Sequence, residues 1–383
     1  MTHRASVVLA LAGSAAFVVA CLLVEQGLTN ASLYSDVHVY ASYASKMVAG
    51  GVPYRDFSDE YPPLAQPVFL LGRVAGASNF ALAFKAFIAL CGVGALWCAV
   101  FTLRTLRATV VHGIAAVAVI AASPLLVGPI FLNAYDLWPA FLLSLALLLL
   151  VRGRAFWAFA VLGAAVAAKV YPLAVLPVAL LSIDRALRRR ALLTFVGVLV
   201  VAHLPFAVLG PGGLRFSYEL QARRGLELNS LGASILLAAG HPHLANQPPG
   251  SLNVTGGTAR AFAVVSAVLV LAAIAAAAWA YHRRRLSLVA ASAAAVAGFV
   301  AFDKVFSAQY VDWLVPLVPL VSIGAAVGVI PAFVLTRLVF SHRSQLANVT
   351  DVPLLLVRNA FVVALFVALL WQGTVPFSTR NRR

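Results

Sequence analysis

Charged side chains are scarce in this 383-residue chain: Asp, Glu, Lys and Arg make up 10% of it, whereas hydrophobic residues make up 62%. A soluble domain usually carries about 25% charged residues, so this composition excludes a soluble globular protein. Apolar runs recur along the whole chain, and a membrane-spanning helix needs about 20 such residues. We therefore predict an all-α polytopic membrane protein with about 11–13 transmembrane helices. The spans are predicted near residues 6–28, 80–103, 108–128, 137–151, 155–168, 171–183, 191–209, 259–281, 286–302, 311–323, 325–340 and 353–375.

Cysteine is also scarce, and its few positions exclude disulfide chemistry. Of the three cysteines, Cys91 and Cys98 lie in one apolar run about two helical turns apart, too far for a disulfide. His241 and His243 lie on a predicted loop with no third ligand nearby, which is too little for a metal site. We expect no metal and no cofactor. With no internal repeat and no change of composition, residues 1–383 are predicted to form one integral membrane domain.

Acidic residues number only twelve, and nearly all fall between the same alternate spans. Arginine excess marks cytoplasmic loops, and the basic clusters fit every second loop, which predicts that both termini are inside. The run 6–28 lacks a small-x-small cleavage site and is predicted to be a retained helix. The net charge of +16 is therefore topogenic, with some contact to anionic headgroups, and does not indicate a nucleic-acid partner. The basic clusters are Arg104 and Arg107; Arg152 and Arg154; Arg185, Arg188, Arg189 and Arg190; Arg283, Arg284 and Arg285; and Arg380, Arg382 and Arg383.

The carboxylates therefore lie almost entirely on the predicted outer side; only Asp184 is in a loop predicted to be cytoplasmic. Acidic residues contribute little to topogenesis, so this asymmetry indicates function. The outer carboxylates are Glu25, Asp36, Asp56, Asp59, Glu60, Asp136, Glu219, Glu227, Asp303, Asp312 and Asp351.

The first outer loop, residues 29–63, contains a short amphipathic segment. Apolar residues recur at helical spacing from Val37 to Val48, and two glycines follow, which predicts a helix lying in the membrane interface. Asp36 stands at its start, where it is either an N-cap or a functional carboxylate. A group of carboxylates and tyrosines follows, and this suits sugar hydroxyls or proton abstraction, although tyrosine is also a common interface anchor. That group is Tyr54, Asp56, Asp59, Glu60 and Tyr61.

The second large outer loop, residues 211–258, carries Arg223 and Arg224. Because arginine on the outer face runs against the topogenic bias, this pair indicates an anion such as phosphate. Ionisable residues at membrane depth, such as Asp136, Lys169 and Lys304, are costly and functional by default. The alternative is internal pairing, for instance of Asp136 with Lys169 or of Asp303 with Lys304.

Taken in order, these motifs resemble those of lipid-linked glycosyltransferases with the GT-C fold, and most nearly the bacterial alpha-1,2-mannosyltransferase type, glycosyltransferase family 87. The resemblance covers about residues 30–315, and each motif is loose when taken singly. The matching residues are Asp36 and Tyr40; Gly51, Pro53, Tyr54, Asp56 and Phe57; Glu60, Tyr61, Pro62 and Pro63; Tyr135, Asp136, Pro139 and Ala140; Lys169, Tyr171 and Pro172; Arg224, Gly225, Leu226 and Glu227; and Lys304, Ser307, Gln309, Tyr310 and Trp313.

The resemblance implies a GT-C-like bundle and inverting sugar transfer from a polyprenyl-phosphate sugar to a glycolipid or cell-envelope glycan. Mannose is the expected sugar, with a pentose as the alternative. The family's catalytic base maps onto Asp36, and the family often has an acidic residue where this chain has Asn229. We assign the donor phosphate to Arg224 and Lys169 first, and then to Arg223 and Lys304. Contacts to the sugar or the acceptor are assigned to Tyr54, Asp56, Asp59, Glu60, Tyr61, Asp136, Glu227, Gln309 and Tyr310.

The resemblance also implies a location, the bacterial inner membrane, with the active site facing the periplasm or the cell exterior. Expected partners are the lipid donor, the acceptor and membrane lipids, and the protein is expected to be a monomer. The alternative function is a transporter or flippase of a polyprenyl-linked or other anionic lipid. Transporters often have inverted repeats and broken helices near the bilayer midplane, whereas here the charges gather at one surface.

Overall fold

The computed structural model describes residues 1–28, 35–241, 243–247, 251–341 and 351–372, and most of them are helical. The helices are α1 (His3–Glu25), α2 (Val37–Val48), α3 (Gln66–Leu71), α4 (Phe80–Thr105), α5 (Val110–Val127), α6 (Ile130–Asn133), α7 (Leu137–Val151), α8 (Ala155–Ala168), α9 (Leu176–Leu181), α10 (Arg185–Leu209), α11 (Pro211–Arg223), α12 (Leu231–Ala238), α13 (Gly257–His282), α14 (Leu288–Phe302), α15 (Ile323–Gly328), α16 (Ile330–Ser341) and α17 (Val352–Trp371). The strands are β1 (Leu226–Glu227), β2 (Leu244–Gln247) and β3 (Ser251–Val254).

Within the described residues, seven helices are long and apolar enough to cross a membrane, and four apolar helices are shorter. These eleven segments account for eleven of the predicted spans, so the chain is a polytopic all-α membrane protein. Helix α10 begins at Arg185, earlier than predicted, so the basic cluster after Asp184 lies on the first turns of this helix. The cluster at Arg380, Arg382 and Arg383 and the end of the last predicted span lie outside the described residues.

The predicted span 311–323 is wrong. This stretch forms short 3-10 turns at Ala308–Trp313 and Val318–Leu320 instead of a transmembrane helix. Pro316 and Pro319 explain the difference, because proline lacks the backbone N–H and its ring clashes with the preceding helical turn. The result is a tightly buried connection inside the bundle, which brings polar side chains next to the ends of other helices.

The second predicted outer loop is more structured than its composition indicated. It contains α11, α12 and a three-stranded antiparallel sheet in the order β1–β3–β2. Leu226 of β1 and Leu244 of β2 both face Val254 of β3 across the ladder. The Ser230 hydroxyl caps α12 by accepting from the Ala233 N–H at 3.3 Å, as expected for serine at this position.

The long helices pack in a chain of neighbours that leaves α10 on the outside. Helix α1 packs against α4 and α5, α4 against α7, α7 against α8, and α8 against α10; α13 and α17 both pack against α14. Only 6% of the most apolar stretch of α10 is buried. Because that stretch is strongly apolar, this exposed helix surface fits contact with lipid.

Candidate active site

Asp36 lies directly before α2 but does not cap it. The predicted interfacial helix Val37–Val48 is confirmed, yet the Asp36 side chain makes no hydrogen bond to the first helical turn. Instead, Asp36 Oδ2 accepts from Tyr40 Oη and from Gln309 Nε2, each at 3.4 Å. The Asp36 N–H donates to the Asn133 carbonyl at 3.2 Å. The carboxylate is therefore held by Tyr40 and Gln309, the backbone of Asp36 is held by Asn133, and the residue is left half-buried.

The surroundings of Asp36 make its carboxyl more basic than usual. The pKa of Asp36 is raised to about 6, mainly by burial and also by the nearby Asp136 carboxylate, while Lys169 opposes this rise. A base works best when its pKa approaches the working pH. Asp36 is thus suited to accepting a proton near neutral pH.

Lys169 and Asp136 form the buried centre of the site. Lys169 Nζ donates to Asp136 Oδ1 at 2.5 Å, and the Trp313 indole N–H donates to the same oxygen at 2.6 Å. Pairing of Asp136 with Lys169, which the sequence left open, is therefore observed. The ammonium also lies over the rings of Tyr135 at 4.8 Å, Trp313 at 5.4 Å and Tyr310 at 5.5 Å. Such cation–π contacts stabilise a positive charge that is partly removed from water.

Arg224 and Glu60 belong to the same electrostatic cluster. Burial raises the pKa of Glu60 to about 7; Arg224 opposes this rise, whereas Asp36 reinforces it. Arg224 Nη1 donates to Gln221 Oε1 at 3.3 Å, while its Nε has no hydrogen-bond partner among the described residues. The guanidinium therefore retains a free donor in the electrostatic cluster that contains Glu60.

Lys304 and Arg223 are placed differently from Arg224. Lys304 is half-buried, and its Nζ donates to the Ala222 carbonyl at 2.6 Å; no ion pair joins it to Asp303 in the part of the chain that is described. The Arg223 side chain is 79% exposed and pairs with Glu219 at 3.2 Å. Lys304 thus stays close to the segment of Arg224, whereas the Arg223 side chain is largely exposed and bound to Glu219.

Two residues of the first outer loop stabilise its fold. Tyr54 is buried with a φ of 66°, and its hydroxyl donates to the Tyr61 carbonyl and accepts from Gln66 Nε2 at 3.3 Å. Asp56 is exposed and pairs with Arg55 at 2.8 Å, and the Arg55 hydrogen bond lowers its pKa to about 2. Asp56 thus has its partner within the loop, whereas Tyr54 has partners both in the loop and in α3.

Asp59 and Tyr61 lie deeper. Asp59 is buried, its Oδ1 accepts from the Tyr61 N–H at 2.9 Å, and burial raises its pKa to about 7. The Tyr61 ring meets the rings of Tyr40 and Tyr135 edge-on, at 5.6 and 5.2 Å between centroids. The rings of Tyr40, Tyr61 and Tyr135 form an aromatic floor that extends from Asp36 to Lys169.

Glu227 is buried and held by the chain itself. Its carboxylate accepts from the Asn229 N–H at 3.1 Å, from Asn229 Nδ2 at 2.6 Å and from the Phe306 N–H at 3.2 Å. Asn229, the departure from the family pattern, therefore supplies an amide donor where a carboxylate would repel Glu227. These bonds connect the segment after α11 to the segment after α14.

Three buried residues of this region were given no role in the site from the sequence. Trp313 binds Asp136, as described above. Asp312 is fully buried beside Asp136 and Lys169, and neither of its carboxylate oxygens has a hydrogen-bond partner among the described residues. Arg358 of α17 is fully buried and donates to the Asn229 carbonyl at 2.5 Å. An arginine inside a twenty-residue apolar run is the signal that could have identified it.

The region also borders an apolar groove of about 350 Å³ between the α2–α3 connection and α10, lined by residues that include Met47, Val52, Pro53, Leu70, Ala202 and Phe206. His241 and His243 are both exposed. No group of three or more His, Cys, Asp or Glu side chains is arranged to hold a metal ion within the described residues.

Comparison with known proteins identifies the fold and the family of the chain. Two solved structures of ArnT from Cupriavidus metallidurans, one bound to undecaprenyl phosphate and one in the apo state, each match with a TM-score of 0.50 and 18% identity. Each match covers 93% of this chain and 76% of the ArnT chain, and it shows the GT-C fold. None of the curated proteins matches the sequence. The model of glycosyltransferase family 87 matches residues 60–307. As this match spans more than half of the sequence, the chain belongs to glycosyltransferase family 87.

Proposed function

We propose that this protein transfers a sugar, with inversion, from a polyprenyl-phosphate sugar to a glycolipid or cell-envelope glycan, with Asp36 as the general base. The observation that carries this proposal is that Asp36, a carboxyl of raised pKa hydrogen-bonded to Tyr40 and Gln309, lies in one electrostatic cluster with Lys169, Glu60 and Arg224. Family membership supports sugar transfer. The undecaprenyl phosphate bound to ArnT, a protein of the same fold, supports a lipid phosphate as the leaving group.

The reaction follows from the charges that such a transfer creates. The acceptor hydroxyl oxygen bonds to the anomeric carbon on the side opposite the phosphate, and the carbon–oxygen bond to the phosphate breaks. The bonding electrons go to the phosphate oxygen, and the hydroxyl proton passes to Asp36. Proton abstraction by a placed carboxylate contributes about 10²–10⁴-fold in rate. Fixed cations at the phosphate stabilise the negative charge that develops there.

The phosphate is assigned to Arg224 and Lys169, with Lys304 as a third contact. Arg224 has a free buried donor, and Lys169 lies between Asp136 and three aromatic rings without losing all of its exposure. Arg223 is the weakest of the four candidate cations because it is exposed and paired with Glu219.

The sugar and acceptor contacts are assigned to the polar groups nearest Asp36. Glu60, Tyr61, Gln309 and Tyr310 are the leading candidates, because they surround Asp36 or share its electrostatic cluster. Asp59 and Asp136 support them from buried positions. Tyr54, Asp56 and Glu227 act on the shape of the site, since their oxygens bind groups of the chain itself.

The donor lipid is proposed to enter sideways from the bilayer. The apolar groove beside α10 would accept part of the prenyl chain, because its lining is almost entirely apolar and α10 itself is exposed. We place the site at the outer leaflet of the bacterial inner membrane, with the protein acting as a monomer. Mannose is the first sugar to test, and a pentose is the second.

A reconstituted transfer assay tests the proposal. Purified protein in liposomes would receive polyprenyl-phosphate mannose or polyprenyl-phosphate arabinofuranose, together with glycolipids extracted from bacterial membranes. We expect a labelled glycolipid and free polyprenyl phosphate, and a rate about 10²–10⁴-fold lower for Asp36→Asn. Transfer by Asp36→Asn at the wild-type rate would refute the base. Movement of the donor lipid across the bilayer without any transfer would support the transporter alternative instead.

A further inference from the structure

Arg358 is a fully buried arginine in the middle of α17, a twenty-residue apolar helix. A charge in such a position is costly unless it has partners that compensate it. Arg358 lies outside residues 60–307, the part of the chain that the family model matches. It also belongs to none of the motifs that carry the family resemblance. Its burial therefore needs a reason within this structure.

The contacts of Arg358 converge on one short segment of the chain. Arg358 Nη2 donates to the Asn229 carbonyl at 2.5 Å, and the guanidinium lies 3.7 Å from the centre of the Phe306 ring. The next residue, Asn359, donates from Nδ2 to the same carbonyl at 3.2 Å and to Ser234 Oγ at 3.0 Å. Two consecutive residues of α17 thus hold the backbone at Asn229.

The Asn229 segment is connected to the proposed phosphate cations. The Glu227 carboxylate accepts from Asn229 and from the Phe306 N–H, and the Glu227 N–H donates to the Lys304 carbonyl at 2.9 Å. Arg224 lies three residues before Glu227 in the same segment. Glu227 also attracts the Arg358 charge electrostatically. Residues 224–230 and 304–306 therefore form one unit that α17 holds from behind.

We propose that Arg358 is a positioning residue for the donor phosphate: with Glu227 it fixes residues 224–230 against residues 304–306, and so sets the places of Arg224 and Lys304. This inference rests on the proposed function for its link to the lipid phosphate. The guanidinium donates to the Asn229 carbonyl and lies over the Phe306 ring in a single arrangement, and this holds the segment in one register.

The substitution Arg358→Met separates this role from simple packing. It keeps much of the side-chain volume but removes the hydrogen bond to the Asn229 carbonyl and the positive charge that attracts Glu227, so residues 224–230 should loosen. We expect the Kd for undecaprenyl phosphate and the KM for the lipid donor to rise on the order of 10- to 100-fold. The KM for the acceptor should stay within about twofold, because Asp36 and Gln309 lie outside this unit.

Conservative and compensating variants keep the test decisive if Arg358→Met folds poorly. Arg358→Lys retains the charge without the planar fork, so its donor affinity should be intermediate. In Glu227→Gln/Arg358→Met neither charge remains, and part of the lost affinity should return relative to Arg358→Met alone. Arg337→Met is the matched control, because Arg337 is another helix-borne arginine that donates to a carbonyl, that of Leu125, at 2.9 Å.

The experiment uses the full chain in nanodiscs and measures two quantities for every variant: the Kd for undecaprenyl phosphate, and amide hydrogen exchange in residues 224–230 and 304–306. The inference predicts weaker binding and faster exchange for Arg358→Met and neither change for Arg337→Met. Unchanged exchange in both segments, or equal loss of binding in the Arg337→Met control, would overturn it. If the wild-type protein binds no undecaprenyl phosphate, the proposed function fails, and the exchange measurement still decides whether Arg358 fixes the segment.

Discussion

At the scale of single residues, Asp36 is the group whose ionisation should govern the rate. Its pKa is raised to about 6 by burial, so the carboxylate is the main form above that pH and the neutral acid below it. Only the carboxylate accepts a proton, and kcat/KM for the acceptor should fall about tenfold per pH unit below about pH 6. A rate profile from about pH 5 to about pH 8, recorded on reconstituted protein, measures this.

Glu60 titrates in a nearby range, because burial raises its pKa to about 7. Glu60→Gln is therefore the control for the profile. The fall below about pH 6 should persist in Glu60→Gln and should vanish in Asp36→Asn, whose residual rate is flat. If Glu60→Gln abolishes the fall while Asp36→Asn keeps it, Glu60 is the titrating base.

Substitutions at Lys169 give a second prediction, in which the effect on stability can be distinguished from the effect on the transfer rate. Lys169→Met leaves the fully buried Asp136 carboxylate without its cation, so both the unfolding temperature and the rate should drop. Asp136→Asn/Lys169→Met removes both charges and should recover most of the unfolding temperature. The rate should stay about 10²–10³-fold low, because the phosphate still lacks a cation. Thermal unfolding in detergent and the transfer assay measure the two effects.

Recovery of both the unfolding temperature and the rate in the double variant would make Lys169 a structural residue only.

The pairing of Asp136 with Lys169 could be anticipated from the sequence, since both are ionisable residues at the ends of apolar runs and must neutralise each other. The contact between Trp313 and Asp136 could not be anticipated, because a tryptophan in a mostly apolar stretch is equally typical of hydrophobic packing. The absence of a cap at Asp36 was also beyond reach, since the side-chain torsion that decides it leaves no trace in the sequence.

At the scale of elements, the close contact between α11 and the first outer loop sets the position of Tyr54. A Cβ on Gly213 would overlap the Tyr54 carbonyl oxygen, whereas a Cβ on Gly212 would meet nothing within 4 Å. The Tyr54 hydroxyl in turn binds the Tyr61 carbonyl, so displacement of Tyr54 should reach the aromatic floor.

This pair of adjacent glycines gives a matched prediction. Gly213→Ala should lower the unfolding temperature. It should also reduce the transfer rate at least tenfold, because a shift of site residues on the order of 1 Å is enough to lower the rate by that much. Gly212→Ala should be neutral or slightly stabilising, because alanine favours helix by about 1 kcal/mol over glycine. Thermal unfolding and initial rates of the two variants test this, and equal behaviour of the two would contradict the contact.

The elements that the sequence predicted well are those with a local signal. The interfacial helix α2 has its observed bounds at Val37 and Val48 because apolar spacing and the following glycines both act within a few residues. The predicted span 311–323 is wrong because the stretch is hydrophobic enough for a span, but Pro316 and Pro319 interrupt its helical hydrogen bonding. Strands β1 to β3 are two to four residues long, too short to show a period, and they pair across residues that no local pattern connects.

At the scale of the whole molecule, the family signature and the architecture cover different parts of the chain. The family model ends at residue 307, yet the buried pair Arg358 and Asn359 of α17 binds the segment that carries Arg224. The segment that carries Arg224 is therefore held by a helix outside the residues that the family model matches. The sequence predicted the span 353–375 that α17 largely fills, but it gave this helix no part in the site, because Arg358 and the Asn229 carbonyl that it binds are more than a hundred residues apart.

The proposed sidedness of the site is the property on which a lipid-borne donor depends, and it is directly testable. The native cysteines Cys21, Cys91 and Cys98 are all buried, so a new exposed cysteine can be labelled without removing them. His38 is exposed beside Asp36, and Arg189 is exposed near the start of α10. In intact spheroplasts a membrane-impermeant maleimide should label His38→Cys, whereas Arg189→Cys should react only after permeabilisation, because arginine clusters are retained in the cytoplasm. Labelling in the reverse order would put Asp36 on the cytoplasmic side, where the proposed donor in the outer leaflet has no access to it.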